Sequence, residues 1–349
     1  WLLSSEDFFN REALGINSLK LSAGYDVSGN DDVAITASRT SLSATRFMNG
    51  SVGLVLNNIG NTGIQWETTH RLRVGLDLTE YNNILAFSLN FFKSYTNNLL
   101  TLKSLPEITG EGYYWSNDGS LENIGLDFGV RFKLLNRKNW KWELGANATA
   151  YKNKITALPD GDYTTTIYGA NVLTSVGRAA GVFYGYETDG VYATQQEAEE
   201  AGLTLVSTTG EVTPFAAGDM KFVDHVQDGI INEKDMVVIG NPNPDVYGNL
   251  YSNLSYKRLS LNMNFNYSFG NDIYNYQRSQ LESGSQFFNQ TTALNRRWIA
   301  EGHHTDIPKA TFGDPMGNSR FSDRWIEDGS YLRLRSVTLS YELPVNSVW

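Results

Sequence analysis

Residues 240–271, GNPNPDVYGNLYSNLSYKRLSLNMNFNYSFGN, contain the pattern that decides the fold. From residue 259 to residue 270 apolar side chains occupy every second position, and small polar residues or glycine occupy the others; the apolar set is Leu259, Leu261, Met263, Phe265, Tyr267 and Phe269. Such a period of two predicts a β-strand with one apolar face. Residues 247–257 alternate more weakly, and only Lys257 and Arg258 separate the two runs. The pair is therefore predicted to form a tight hairpin.

The same alternation recurs along the chain, in residues 19–27, 66–78, 84–95, 124–134, 140–150 and 331–343. In the last run the apolar phase slips near Ser336, which predicts a β-bulge there. Strands of this length are unusual in soluble sheets, where about five or six residues are typical. They match the roughly 9–11 residues that a tilted strand needs to cross the hydrocarbon layer of a bilayer.

Composition excludes several classes of protein. The chain has 349 residues, a net charge of -10 and no cysteine, so disulfides and thiolate chemistry are excluded. Its Lys and Arg form no basic block, and no nucleic-acid partner is expected. No apolar run approaches the roughly 18 residues that a membrane helix requires. The 19 Tyr, 17 Phe and 32 Gly suit strands and turns better than helices.

The connections between these runs differ in length. Tight turns are predicted at residues 80–83, 136–139 and 257–258, whereas the other connections run to tens of residues. Short turns at one rim and long loops at the other are typical of an outer-membrane β-barrel. Within the connections we expect a helix over residues 4–14 capped by Ser4 or Ser5, a long loop over 28–65 with one short strand at 33–38, and a second loop over 96–120. Short elements are also expected at 182–186 (strand) and 195–201 (helix), and residues 271–330 are read as a polar segment.

A soluble β-sandwich or barrel is the alternative, because inverting a barrel leaves the period unchanged. Two further features favour the membrane. The polar faces hold Asn, Ser, Thr and Gly where a soluble surface usually shows many Lys and Glu. Aromatic residues also recur near strand ends, where interfacial girdles lie; they include Trp66, Tyr95, Trp140 and Tyr256.

Several motifs resemble those of the SusC/RagA-like TonB-dependent transporters of Bacteroidetes outer membranes. They are VIGNPNPD (238–245), GYETDGVY (185–192), GDMKFVD (218–224), GNDIYN (270–275) and RWIEDGSYLRL (324–334), followed by a strand that ends in Leu343-Pro344. They occur in matching order over nearly the whole chain.

The resemblance implies a barrel of about 22 strands with a plugged lumen, energised through TonB and covered by a SusD-like surface lipoprotein. Residues 1–349 are expected to be the C-terminal part of that all-β, antiparallel transmembrane barrel, with about ten of its strands, long extracellular loops and no plug domain. The implied function is import of oligosaccharide or peptide through the outer membrane. Residues 240–245 are placed at the extracellular side and Lys257-Arg258 at the periplasmic rim. Two alternatives are an outer-membrane barrel for adhesion, binding or secretion without transport, and a soluble carbohydrate-binding β-protein.

One segment follows a Ca²⁺-loop pattern. Residues 224–235 place carboxylates at Asp224 and Asp228, a glycine next, a backbone carbonyl at Ile230 and a carboxylate at Asp235. The third position, where the family's fuller loop has a polar ligand, is Val226. The alternative is a glycine-centred turn whose aspartates cap backbone amides. No cofactor is expected to be required, and Ca²⁺ in this extracellular loop is the one candidate.

The aromatic triplet Tyr113, Tyr114 and Trp115 is a candidate substrate-binding site, because such rings stack on sugars. Packing against neighbouring loops or a partner protein is the alternative. The chain shows no Ser/His/Asp arrangement and no phosphate-binding loop, so no enzymatic activity is expected.

Overall fold

The computed structural model describes residues 1–47, 50–80, 82–106, 108, 110, 112–117, 119–159, 161–207 and 210–343. The first strands are β1 Ile16–Asn30, β2 Ser41–Arg46, β3 Val52–Asn58, β4 Glu67–Glu80, β5 Leu85–Asn97, β6 Leu100–Ser104, β7 Tyr113–Asn117, β8 Ser120–Asn136 and β9 Trp140–Ala157. There follow β10 Tyr163–Ile167, β11 Ala170–Thr174, β12 Val182–Gly185, β13 Thr188–Val191, β14 Thr204–Val206, β15 Val212–Pro214, β16 Met220–Phe222 and β17 Val237–Gly240. The last are β18 Val246–Tyr256, β19 Leu259–Phe269, β20 Asp272–Tyr274, β21 Ile326–Asp328 and β22 Tyr331–Tyr341. The helices are α1 Arg11–Leu14, α2 Gln195–Ala201 and α3 Tyr276–Leu281, with 3₁₀ turns at Leu3–Ser5, Ile35–Ser38, Glu233–Asp235, Thr292–Arg296 and Asp323–Trp325.

Eight long strands form one antiparallel sheet in the order β1-β4-β5-β8-β9-β18-β19-β22, which we call the wall. The 247–269 hairpin is as predicted: Tyr256 pairs with Leu259 across the turn, in which Lys257 has a φ of 52°. The bulge is confirmed as well. Asn264 pairs with Ser336 and Phe265 with Leu334, so one extra residue is inserted in β22. Eight strands therefore account for most of the ten or so expected.

The wall has two chemically different faces because successive side chains point to opposite sides of a strand. One face carries the apolar set, and its side chains are exposed on this sheet; Leu126 and Leu339 are 46% and 68% exposed. The other face carries Asn, Ser, Thr, Gly and ion pairs such as Arg73 with Asp26, whose Nε and Oδ1 lie 3.6 Å apart. This is the arrangement expected of a barrel with an apolar exterior and a polar lumen.

Two long connections, residues 158–245 and 270–330, fold together into a unit that we call the loop module. It contains the sheet β10-β11-β12-β17 and the pairs β13-β16, β14-β15 and β20-β21. The Tyr186 N–H donates to the Phe321 carbonyl (3.2 Å), and the Asp323 N–H donates to the Tyr186 carbonyl (3.0 Å), which joins the two connections. Its core is built from Tyr186, Val191, Tyr192, Ala198, Phe215, Met220, Phe222, Ile231 and Met316.

Several local predictions are corrected. The helix expected over residues 4–14 is limited to Arg11–Leu14, and its N-cap is Asn10, whose Oδ1 accepts from the Ala13 N–H at 3.0 Å. The strand expected at 33–38 is wrong, since Ile35–Ser38 is a 3₁₀ turn. The loops expected over 28–65 and 96–120 each contain a hairpin, β2-β3 and β6-β7. Those strands were not predicted because their alternation of apolar and polar residues is short and is interrupted by glycine and asparagine.

Other local predictions are confirmed. The helix Gln195–Ala201 has Thr194 as N-cap, with its Oγ1 accepting from the Glu197 N–H at 3.2 Å, and Gly202 as its left-handed C-cap. The strand Val182–Gly185 is present. Two predicted positions, Tyr81 in the 80–83 turn and Pro344 after β22, lie outside the described residues. In the described part of the chain, no helix is long and apolar enough to span a membrane.

Candidate functional site

The long connections all leave the same end of the wall. The wall strands follow one another in the sheet in the same order as along the chain, and each is antiparallel to its neighbours. The tight turns after β4, β8 and β18 therefore lie at one rim, and the connections after β1, β5, β9 and β19 lie at the other. We call these the turn rim and the loop rim. Both site candidates from the sequence, 113–115 and 224–235, therefore lie at the loop rim.

The 224–235 segment is a turn whose carboxylates bind backbone amides. Asp224 Oδ1 accepts from the Gln227 N–H (2.6 Å) and its Oδ2 from the Gly229 N–H (2.8 Å). Asp228 Oδ1 accepts from the Ile230 N–H at 3.0 Å. The Ile230 carbonyl, the predicted seventh-position ligand, accepts from the Asn232 side chain at 3.2 Å.

Asp235 is the centre of this turn. It is fully buried; its Oδ1 accepts from the N–H groups of His225 (3.1 Å) and Val226 (3.3 Å), and its Oδ2 accepts from the Asn232 N–H (2.9 Å). Together with the Asn232 side chain it forms a capping box for the 3₁₀ turn Glu233–Asp235. In this turn the carboxylates of Asp224, Asp228 and Asp235 therefore act as acceptors for backbone N–H groups, a role that needs no bound ion.

The electrostatics of the turn agree with this geometry. Burial would raise the pKa of Asp224, but the amide donors of Gly229 and Gln227 outweigh it and hold that pKa below its ordinary value. Among the residues that the structure describes, no three His, Asp or Glu side chains converge as metal ligands. Ca²⁺ binding at Asp224, Asp228, Ile230 and Asp235 therefore stays a prediction, and the hydrogen bonds favour the turn interpretation.

The aromatic triplet lies on β7, which pairs with β6 in a separate hairpin of the β5–β8 connection. Alternation places Tyr113 and Trp115 on one face of that hairpin and Tyr114 on the other. Tyr113 is 54% exposed, whereas Trp115 is half-buried and its carbonyl accepts from the Asn61 side chain at 3.1 Å. The three rings thus do not form one platform. A stacking surface would use Tyr113 and Trp115.

The polar face of the wall holds a glycine-lined trough that the sequence did not single out. Gly129 and Gly145 lie on this face, and a Cβ at Gly129 would lie 2.5 Å from Ser88 Oγ, while one at Gly145 would collide with the Tyr251 ring. Asn147 Nδ2 donates to Asn249 Oδ1 at 2.8 Å beside them. Ser88, Gly129, Asn147 and Tyr251 border a cavity of about 250 Å³. The sequence feature that could have predicted this trough is the recurrence of glycine at polar-face positions of β4, β8 and β9.

Comparison with protein-family models finds no match. Curated proteins do match. The chain is 32% identical over 359 aligned residues to TonB-dependent receptor P26 of Formosa agariphila, covering 100% of this chain and 35% of that protein. It is 30% identical to TonB-dependent receptor P3 of the same organism, covering 99% and 34%. It is 23% identical to TonB-dependent receptor SusC of Bacteroides thetaiotaomicron, covering 98% and 33%.

Solved structures share the fold. A structure described as the RagAB peptide importer in the closed-closed state matches with a TM-score of 0.73 and 22% identity, over 99% of this chain and 36% of that chain. A structure of the RagAB peptide transporter matches with a TM-score of 0.70 and 23% identity, over 93% and 34%.

The wall, with tight turns at one rim and large loops at the other, is a partial antiparallel β-barrel. The chain belongs to the SusC-like TonB-dependent receptors, as its motifs predict. It spans about a third of the length of the curated relatives it matches.

Proposed function

We propose that the chain forms part of the wall and the extracellular loops of an outer-membrane importer that takes up oligosaccharide or peptide. The observation that carries this proposal is the pairing of a wall of membrane-crossing length, apolar on one face and polar on the other, with a folded loop module at one rim. The relatives named above support it. The importer is energised through TonB, and a SusD-like surface lipoprotein covers the loop rim, which faces outward; the turn rim faces the periplasm.

Uptake by the full-length receptor tests this proposal. Cells that express the receptor should accumulate a labelled oligosaccharide or peptide only when TonB is present, and should lose uptake when the receptor gene is deleted. A receptor that binds ligand or cells equally well without TonB, and accumulates nothing, would instead be an adhesion or binding barrel. We assign no catalytic residue in this chain.

The partner is tested separately. A SusD-like lipoprotein should co-purify with the detergent-solubilised receptor, and deleting residues 283–313 of the loop module should weaken that association more than changing the turn rim at Lys257-Arg258. Equal retention of the lipoprotein by both variants would contradict the proposed placement.

Ca²⁺ binding at the 224–235 turn is a second proposal, separate from import. Titration of the metal-stripped receptor with CaCl₂ should give a binding signal that Asp228→Ala abolishes and Asp189→Ala, a nearby exposed carboxylate outside the turn, leaves intact. No signal, or a signal that both variants share, would remove Ca²⁺ from the account.

Ligand stacking on the β6-β7 hairpin is tested by Tyr113→Ala. If Tyr113 and Trp115 form a stacking surface, this change should weaken oligosaccharide binding by about 1–3 kcal/mol, by analogy with other ring-stacking contacts. Tyr114→Ala, on the opposite face, is the matched control. Equal effects of the two changes would favour loop packing.

A further inference from the structure

The apolar face of the wall changes its chemistry near the loop rim. Strand register arranges the side chains of β5, β8 and β9 on this face in rows, and the last apolar row is Phe91, Leu126 and Ala150. The two rows beyond it, toward the loop rim, are Lys93, Ile124 and Lys152, then Tyr95, Glu122 and Lys154. Three lysines therefore lie where the apolar rows end.

The charges of these lysines are only partly balanced by carboxylates. Lys93 Nζ lies 2.7 Å from Glu122 Oε2, so Glu122 is already paired. Lys152 and Lys154 are exposed and form no salt bridge within the described ranges. Asp245 is a second carboxylate and borders the cavity next to Lys152. Three ammonium groups against two carboxylates leave the cluster with a positive charge.

Strand length places the lysines at the depth of lipid headgroups. At the turn rim the same face carries the rings of Trp140 and Tyr256, whose centroids lie 4.3 Å apart. Lys152 lies twelve residues beyond Trp140 on β9, which corresponds to about 40 Å along the strand. At the tilt of about 40° that is usual for outer-membrane strands, this is about 30 Å of depth, the thickness of the hydrocarbon layer. Trp140 and Lys152 therefore lie at its two surfaces.

Between these levels, the apolar face has a groove along β9. Its floor is formed by Ala146, Ala148 and Ala150, and larger side chains of β8, such as Phe128 paired with Ala148, form one wall. A cavity of about 370 Å³ at Ala150 reaches Lys152, and a second of about 340 Å³ lies at Ala146. From Ala146 to Lys152 the groove is about 20 Å long. At the same tilt this is about 15 Å of depth, which is one leaflet of the hydrocarbon layer.

We propose that this lysine-capped groove binds one phosphorylated lipid of the outer leaflet, with an acyl chain along the alanines and the phosphate at Lys152 and Lys154. The site rests on the proposed outer-membrane location of the wall, which puts lipid against this face. Basic side chains at a membrane surface attract anionic headgroups, and ammonium groups donate charge-assisted hydrogen bonds to phosphate oxygens.

The depth of the groove selects the class of ligand. The lysines lie at headgroup level and the groove lies within the hydrocarbon layer, so a ligand that fills both needs a charged head and an apolar tail. Glu122 and Asp245 disfavour a headgroup of high negative charge. A lipid with a single phosphate meets both conditions.

Native mass spectrometry of the full-length receptor in detergent tests the proposal. The probes are lipid A that carries one phosphate and the same lipid after removal of that phosphate. We expect the phosphorylated probe to bind at least about tenfold more tightly, because each lysine at a membrane surface favours anionic lipid by about fivefold. An excess of inorganic phosphate should not displace it, since the acyl chain contributes to binding.

Variants then assign the preference to the groove. Lys152→Gln combined with Lys154→Gln should remove the preference for phosphate, whereas Lys141→Gln combined with Lys257→Gln, which removes the same charge near the turn rim, should keep it. Lys152→Arg combined with Lys154→Arg retains both charges and should bind as the unaltered receptor does. Ala150→Phe fills the groove and should weaken binding of both probes.

The site would be overturned by equal binding of the two probes, by displacement with inorganic phosphate, or by a preference that survives both Lys→Gln changes at 152 and 154. Equal loss of the preference in the turn-rim variant, or unchanged binding to Ala150→Phe, would also contradict it. Failure of the site differs from failure of the proposed function. TonB-dependent uptake by a receptor that binds both probes alike would leave import standing, whereas selective lipid binding without TonB-dependent uptake would leave the lipid site standing.

Discussion

The wall and the loop module bury their apolar residues in opposite ways. On the wall, leucine and phenylalanine side chains of one face are exposed along β4, β5, β8, β19 and β22. In the loop module the apolar residues turn inward, and among the described residues every fully buried hydrophobic side chain except Ala37 and Ile155 lies there. One chain therefore contains two kinds of packing.

The proposed membrane location of the wall accounts for the difference. A wall that faces lipid gains nothing by hiding leucine and must instead pair its backbone amides, which the long antiparallel ladders do. A loop module in water must bury apolar surface to offset the conformational entropy of its chain. The buried Asp219, Asp235 and Trp325 of the module belong to this second kind of packing.

The largest expected effect is on the core of the loop module. Phe215 is 2% exposed, and Phe215→Ala should destabilise the module by about 3–5 kcal/mol through the cavity that it leaves. Amide hydrogen exchange should accelerate in β13, β16 and α2 while the wall strands keep their protection. Phe288→Ala, at a 72% exposed position, is the control. Equal acceleration in the wall would contradict two separate packing regimes.

An arginine introduced on each face of the wall tests which face meets lipid and which face lines the lumen. Leu126→Arg, in the middle of β8 on the apolar face, should destabilise the folded receptor in lipid by about 2–4 kcal/mol. Asp127→Arg, one residue on, points to the lumen and loses only the bond that Asp127 accepts from Thr149 Oγ1. Urea unfolding from lipid vesicles measures both. A larger loss for Asp127→Arg would reverse the assignment of the faces.

The next effect concerns the 224–235 turn. Asp235→Ala removes the acceptor of three backbone amides and should cost roughly 2–3 kcal/mol of local stability. Protease cleavage within this segment should increase. Asp228→Ala, which removes the acceptor of one amide, should cause little cleavage. If both variants resist cleavage equally, the capping account of this turn is wrong.

The smallest effect tests the polar trough of the wall. Gly145→Ala places a methyl group against the Tyr251 ring and should cost about 1–2 kcal/mol as that ring moves. Gly24→Ala is matched, since it also lies on the polar face of a wall strand and its Cβ would have no heavy atom within 4 Å. Melting temperatures of the two variants in detergent should differ. Identical values would show that the trough is not tightly packed.

The sequence predicts the wall far better than the loop module, for physical reasons. Alternation over ten or more residues identifies a strand without reference to its neighbours, and even the phase slip near Ser336 marks the bulge correctly. The core of the loop module joins residues as distant as Tyr186 and Met316, and contacts of that separation leave no local period.

The same reasoning explains how much of each candidate site could be predicted from the sequence. The carboxylate spacing of 224–235 fits both an ion-binding loop and an amide-capped turn, and the hydrogen bonds of Asp235 favour the turn without testing Ca²⁺ binding. Tyr113 and Trp115 were found by composition, but their separation from Tyr114 required the pairing of β6 with β7.

The central claim is that the wall crosses the outer membrane with its loop rim outside and its turn rim inside. Because this chain has no cysteine, single cysteines placed by Phe288→Cys and Lys257→Cys can be labelled on intact cells with a membrane-impermeant maleimide. The account predicts labelling at position 288 on intact cells, and at position 257 only after the outer membrane is opened. Labelling of position 257 on intact cells, or protection of position 288, would contradict it.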